Sequence, residues 1–297
     1  MGLGDHVVAV THECDYPLEA AELPQLTTSV IPAGLPPADI DALVKGRTED
    51  GASLYTLNEE LLKEEEPDLI VAQQLCSVCA VSIDDVRAVA ATLPGEPEVI
   101  SLDPTTIGEV LGDIRTIAQA VDKIDPEIGA KDAGVELLQS LADRIDAVKI
   151  ALKEVGRQHG AERVSVAALE WLDPVFIGGH WVPQMIEIAG GLDLLGMPGE
   201  PSSQLEWSDV AAAEPAVAVL MQCGYDVGES AGEAEDYIDQ LKGTGATQVF
   251  ASDANAFFSR PGPRLVDGIE MLAHALHPEL FDEPESGRLL ELDLAAY

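Results

Sequence analysis

The stretch Asp132-Ala133-Gly134-Val135-Glu136-Leu137-Leu138-Gln139-Ser140-Leu141-Ala142-Asp143-Arg144-Ile145-Asp146-Ala147-Val148-Lys149-Ile150-Ala151-Leu152-Lys153-Glu154-Val155-Gly156-Arg157-Gln158 decides the architecture. It contains no proline and no strand-like run. Val135, Leu138, Leu141, Ile145, Val148, Leu152 and Val155 recur at steps of three and four, with charges between them. That spacing puts one apolar stripe on a single helix. At about 1.5 Å per residue the helix is ~40 Å long. Pro126 and Gly129 precede it, and Gly156 and Gly160 close it, as helix boundaries require. A helix of this length exceeds an ordinary crossover between neighbouring parallel strands, so it is expected to bridge two lobes.

Outward from this helix, short apolar runs alternate with helical patterns. Val7–Val10, Leu69–Ala72, Glu98–Ser101, Arg163–Ala168, Ala216–Met221 and Gln248–Ala251 read as strands. Ser82–Thr92, Thr106–Val121 and Pro263–His277 read as helices. Continuous apolar strands between helices predict parallel sheets covered on both faces. The fold class is therefore α/β: two Rossmann-like lobes, residues 1–131 and 159–297, joined by the bridging helix at 132–158. An internal echo supports two lobes, since Glu66-Pro67-Asp68-Leu69-Ile70-Val71-Ala72 and Glu214-Pro215-Ala216-Val217-Ala218-Val219-Leu220 each place Glu-Pro before a buried strand.

Charge narrows the function. The 297 residues carry 54 Asp and Glu against 16 Lys and Arg, a formal charge of −38. Nucleic-acid binding draws its affinity from cations that neutralise phosphates, so nucleic acid and anionic membrane surfaces are excluded as partners. Hydrophobic residues make up 46% of the chain, which argues for packed cores instead of disorder. Such self-repulsion suits molar salt, where the screening length falls to about 3 Å. The composition reads as a halophilic, haloarchaeal-like adaptation to solvent. No apolar run approaches the ~20 residues of a membrane span, and no secretory signal opens the sequence. As written, the chain is expected to be cytoplasmic.

In open parallel sheets, ligands sit beyond the carboxyl ends of the strands. The distinctive residues concentrate there: His12, Cys14 and Tyr16 after the first run; Gln74, Leu75, Cys76 and Cys79 after the second; Trp171, Asp173, Gly179, His180 and Trp181 after the fourth; Tyr225 after the fifth; Phe257 and Phe258 after the sixth. Only 4% of residues are aromatic, so this grouping predicts a ligand cleft between the lobes. The competing reading is that these rings plug a core.

Glu170-Trp171-Leu172-Asp173-Pro174, Gly179-His180-Trp181-Val182-Pro183 and Ala189-Gly190-Gly191 resemble the cobalamin-binding members of a family of ABC-importer substrate-binding proteins. That family, of class III or helical-backbone type, serves vitamin B12 and ferric siderophores. His12-Glu13-Cys14-Asp15-Tyr16-Pro17, Cys76-Ser77-Val78-Cys79-Ala80 and Phe258-Ser259-Arg260-Pro261-Gly262-Pro263-Arg264 are similar as well. The resemblance covers nearly the whole chain and implies a monomeric, non-catalytic protein that holds cobalamin and delivers it to an ABC permease. A ferric siderophore or haem is the alternative ligand. Family members begin with a strand and loop ahead of the segment that opens here at Gly2-Leu3-Gly4-Asp5, so the first strand of the first lobe is expected to be missing. With such a segment restored, the location would be extracytoplasmic.

On this reading Trp171, Trp181, Tyr225, Phe257 and Phe258 contact the corrin or its nucleotide loop. Gln74, Asp173 and His180 bond its amides, with Leu75 and Gly179 beside them. Tyr55 reaches the cleft from the first lobe or staples the helix that Asn58 begins. Arg264, with Arg260, holds an acidic ligand group or pairs with nearby acids. His180 alternatively ties down its own loop, and His274 and His277 cap the last helix. His12, Cys14, Cys76 and Cys79 are the candidates for a metal site in a cytoplasmic metal- or corrinoid-handling protein, against the plainer reading of small thiols packing a strand-end loop. No catalytic residue and no catalytic cofactor are expected, since no Gly-x-Gly-x-x-Gly or Walker motif is present.

Overall fold

The long helix is continuous from Ala130 to Glu154 in a computed structural model that describes residues 1–32, 34–49, 53–73, 83–156, 163–285 and 287–296. It starts immediately after Gly129, whose φ of 71° is left-handed and closes a preceding 3-10 turn. It ends before Gly156, also left-handed at 76°. The chain forms two compact units: Met1–Asp103 with Gly112–Leu137, and Pro104–Leu111 with Leu138–Tyr297.

Within the second unit, Leu141, Ile145, Val148 and Leu152 of this helix are buried, contributing about 1.5–3 kcal/mol each. The expected stripe is shorter at both ends. Val135 is 62% exposed, and Val155 lies past the last helical turn. Gly134 takes the inward position instead of Val135: a Cβ there would stand 2.7 Å from Cβ of Ala118. In the first unit the helix meets its neighbour (Ile107–Ile124) through small residues, where the periodicity had suggested a valine.

The first unit contains an antiparallel pair, β1 (Thr27–Ser29) with β2 (Tyr55–Leu57), and a parallel pair, β3 (Leu69–Gln73) with β4 (Glu98–Leu102). The expected strand at Val7–Val10 does not form. Only Val10 pairs, through one parallel bridge to Gln25. Its N–H donates to the Pro24 carbonyl at 2.9 Å, and the Leu26 N–H donates to its carbonyl at 2.8 Å. The next ladder bond toward Val8 would need an N–H on residue 24, and proline has none.

The second unit holds β5 (Val164–Leu172), β6 (Val175–Ile177), β7 (Gly191–Asp193), β8 (Ser203–Gln204), β9 (Val217–Leu220), β10 (Gln248–Ser252) and β11 (Leu289–Glu291). Its seven strands run β11-β10-β9-β5-β6-β8, with β7 paired to the first half of β5. β10, β9, β5 and β7 are parallel, as the apolar runs imply. β6, β8 and β11 add antiparallel pairings, so the sheet is mixed. On one face, Ala167, Leu169, Leu172, Ala218, Leu220 and Val249 pack against Val210, Ala234 and Leu241 from the covering helices. Pairing of β5 with β6 jumps from Leu169↔Ile177 to Trp171↔Phe176, leaving Glu170 as the extra residue of a β-bulge. The sequence echo has a structural counterpart: Glu66 and Glu214 each end a helix in the left-handed conformation, at φ 44° and 50°, before a parallel strand.

Candidate ligand-binding site

In the second unit the carboxyl edges of β5 and β9 bring Trp171 and Tyr225 together. Their rings meet edge-on at 5.7 Å, the geometry favoured by aromatic quadrupoles. Both are half-buried, and the Trp171 indole N–H donates to the Asp173 carbonyl at 3.1 Å. The exposed Asp173 sits next to an acid and a phenol. Burial, followed by the charges of Asp173 and Glu233, pushes the Tyr237 hydroxyl up to about 12. Burial likewise raises the Glu233 carboxyl, with the charges of Asp236 and Asp173 adding to it. Gln222 donates to Glu233 Oε2 at 3.0 Å and accepts from the Ser230 hydroxyl at 2.7 Å. Oε1 of Glu233 is buried without a hydrogen-bond partner.

The neighbouring turn, Gly178–Trp181, is clamped from several sides. The His180 N–H donates to the Glu200 carbonyl at 2.6 Å, and the Gly199 N–H donates to the His180 carbonyl at 2.9 Å. This holds His180 at φ 50°, a left-handed conformation uncommon for a side-chain-bearing residue. Gly179 is required by contact: a Cβ would lie 2.2 Å from the Ser202 nitrogen. Beneath the turn, Glu170 accepts from the Gly179 N–H at 3.4 Å and from the Ser202 hydroxyl. Burial pushes its carboxyl up to about 7 against those hydrogen bonds, with the Asp193 charge assisting. Burial lowers the His180 imidazole, which favours the neutral ring, able both to donate and to accept.

Three of the expected ligand-facing rings have almost no free surface. Trp181, Phe257 and Phe258 are 4%, 5% and 2% exposed. The Trp181 indole donates to the Phe258 carbonyl, and Phe257 lies under the Arg264 and Arg288 guanidiniums at 5.7 and 4.8 Å. These rings behave as core, and Arg264 caps one of them. His277 closes the last helix, and His274 Nδ1 is bonded to the Phe281 carbonyl at 3.0 Å.

In the first unit, Tyr55 is half-buried on β2, with its ring 5.3 Å from the His12 imidazole. His12 Nδ1 bonds the Thr27 hydroxyl at 2.7 Å, and Cys14 Sγ lies 3.4 Å from the Thr11 hydroxyl. Gln74, Leu75, Cys76 and Cys79 lie outside the described residues. Among the described residues no group of three His, Cys, Asp or Glu side chains converges as a metal set.

Glu170, Asp193, Ser202, Gln222, Glu233 and Tyr237 were not among the expected site residues. Glu170 carried a signal, being a lone acid at the end of an otherwise apolar strand. The others come from remote segments that only the fold brings together.

Solved structures share this architecture over nearly the full chain. The periplasmic vitamin B12 binding protein BtuF of Vibrio cholerae matches with a TM-score of 0.61 and 19% identity, over 93% of this chain and 90% of its own. The periplasmic heme-binding protein RhuT from Roseiflexus sp. RS-1 matches at 0.65 and 20%, over 93% and 92%. The periplasmic heme-binding protein BhuT in complex with two hemes matches at 0.64 and 22%, over 92% and 89%. The chain has the fold of these periplasmic binding proteins. No family model matches the sequence, and no curated protein does. Within this binding-protein fold, no helix of the described residues is long and apolar enough to cross a membrane. The Gly179-His180-Trp181 turn and the Trp171–Tyr225 pair fall at strand carboxyl edges, where α/β sheets carry ligands.

Proposed function

We propose that this chain is a non-catalytic substrate-binding protein that presents a flat, metal-centred macrocycle to an ABC importer, with cobalamin the favoured ligand. The observation that carries this reading is the edge-to-face pair of Trp171 and Tyr225, half-buried at the sheet edge beside the His180 turn. Half-buried rings offer an apolar wall at little conformational cost. The neutral His180 imidazole and the Asp173 carboxylate offer a donor–acceptor and an acceptor, respectively, to carboxamides around such a ring. The names of the structural neighbours favour an extracytoplasmic site of action over the cytoplasmic one.

Haem is the second reading, because proteins named for heme binding match with TM-scores of 0.65 and 0.64. The two ligands separate in one experiment. Absorbance titration at molar salt with cyanocobalamin, and in parallel with hemin, is expected to show saturable one-to-one binding of one of them. Saturation by a ferric hydroxamate alone would move the assignment to siderophores, and failure of all three would remove it. A metal-handling role for His12 and Cys14 gains no support, since both are engaged with neighbouring threonines.

A further inference from the structure

The acid beneath the His180 turn has a geometry that ordinary core packing does not require. Glu170 is the inserted residue of the β5 bulge, and bulges re-aim side chains. Here the carboxyl is delivered to two separate backbone segments at once: Oε1 meets the Gly179 N–H and Oε2 the Ser202 hydroxyl. Those segments are also joined by the paired backbone bonds of His180 with Gly199 and Glu200. A second acid lies close by. Asp193 uses Oδ1 to accept from the N–H groups of Leu195 and Gly196 at 2.9 and 2.8 Å, while Oδ2 is buried without a partner. Oδ2 and the Gly178 carbonyl both flank the space that a Cβ on Gly196 would fill, at 2.7 and 2.6 Å from that point. The Asp193 carboxyl and the Gly178 carbonyl thus crowd one space under the turn, and the Asp193 charge reaches Glu170.

We infer that Glu170 is a proton-operated positioning residue for the His180 turn. Burial raises the Asp193 carboxyl as well, so a proton held on Glu170 spares the pair two buried charges, and the clamp from Ser202 and Gly179 stays closed. When that proton leaves to solvent, a buried charge remains that the donors Gly179 and Ser202 only partly offset and the nearby Asp193 charge opposes, which disfavours the compact arrangement. The turn then opens to admit water, and His180 loses its fixed orientation. Burial of Glu170 places this change near neutrality. The groups facing Glu170 are Asp193 from β7, the Ser202 hydroxyl from the following loop, and the Gly179 N–H on the turn itself, next to His180. His180 titrates below its ordinary value, so the two events differ in midpoint. The consequence for the ligand, release favoured by alkaline conditions, rests on the proposed role of the His180 turn; the switch itself does not.

The test is NMR of the ligand-free chain at molar salt. The Glu170 carboxyl carbon and the amides of Gly178, Gly179 and Gly199 are expected to titrate together, with a midpoint about two to three pH units above that of an ordinary glutamate. Glu170→Gln, which keeps the acceptor and removes the charge, should fix these amides at their acid-side positions across the range. His180→Asn should leave the titration in place. Amides that stay flat through neutrality in the wild-type chain, or that titrate unchanged in Glu170→Gln, overturn the inference. If Glu170→Gln does not fold, Ser202→Ala serves: removing a donor to the carboxylate should raise the midpoint, and an unmoved midpoint counts against the latch. A ligand titration is read separately. If the amides titrate but no macrocycle binds, the proposed function fails and the switch stands. If a macrocycle binds, its affinity should fall about tenfold or more from pH ~6 to pH ~8.5.

Discussion

The indole nitrogen of Trp181 donates a hydrogen bond to the main-chain carbonyl of Phe258, 2.7 Å away and buried from solvent. This bond joins the turn after β6 to the segment after β10. It also explains why two aromatics that read as ligand contacts behave as structure. Trp181→Phe should keep most of the packing while leaving that carbonyl unsatisfied, destabilising the protein by ~1–3 kcal/mol. Denaturant titration at molar salt measures this, and ligand affinity should be nearly unchanged. A large affinity loss without a stability loss would return Trp181 to the ligand.

Trp171→Ala makes the opposite prediction. The ring is half-buried, so stability should fall only modestly, while affinity for the proposed macrocycle should drop at least about tenfold, or ~1.4 kcal/mol. Fluorescence quenching in wild type and variant provides the measurement.

Gly179→Ala should be severe. Its methyl would collide with backbone of the Pro201–Ser202 segment, which has no flexible end to move aside. A loss of several kcal/mol, or failure to fold, is expected from overpacking of this kind. Thermal unfolding of the purified variant, if any is soluble, gives the comparison.

Glu170 sets a stability slope with a definite sign. Its folded carboxyl is pushed up to about 7 from 4.5, so the native state holds this proton more tightly than the unfolded chain. The contribution is full below the unfolded value and is lost as pH rises toward about 7, a total of ~3 kcal/mol. Glu170→Gln should therefore gain on wild type by roughly that amount between pH ~4.5 and pH ~8, as chemical denaturation at each pH would show. A constant difference across that window would rule the slope out.

Arg144 bonds Asp267 at 2.7 Å and also grips both oxygens of Glu270, tying the long helix to the Leu265–Leu276 helix. These groups are about a third or more exposed, so the expected cost of Arg144→Ala is only ~1–2 kcal/mol and should shrink as salt rises. Unfolding midpoints at low and at molar salt test both parts.

The regular elements were legible because they depend on local pattern. The helix at 130–154, the strands at 69–73, 98–102, 164–172, 217–220 and 248–252, and the repeated Glu-Pro boundary all follow from periodicity and turn chemistry. The short antiparallel strands β1, β2, β6, β8 and β11 were not, since two or three residues carry no period. At the candidate site, the position of the rim could be read, but the facing of its rings could not. Trp171 and Trp181 have similar surroundings in sequence, and only the partner of each indole, a nearby carbonyl for one and a distant buried one for the other, separates them. The cluster of Glu170, Asp193 and Ser202 joins residues from separate segments, and no local spacing announces it.

The inserted residue in β5 also decides sidedness. Ala167 and Leu169 face one layer of the core, and after the bulge that duty passes to Leu172 instead of residue 171. Strand side chains alternate strictly, so one extra residue reverses every facing that follows it. Flattening the bulge while keeping residue 170 would therefore do more than shift an acid. It would turn the indole at 171 into the hydrophobic layer, swing the leucine at 172 out, and exchange a candidate binding surface for a packing fault in a single step.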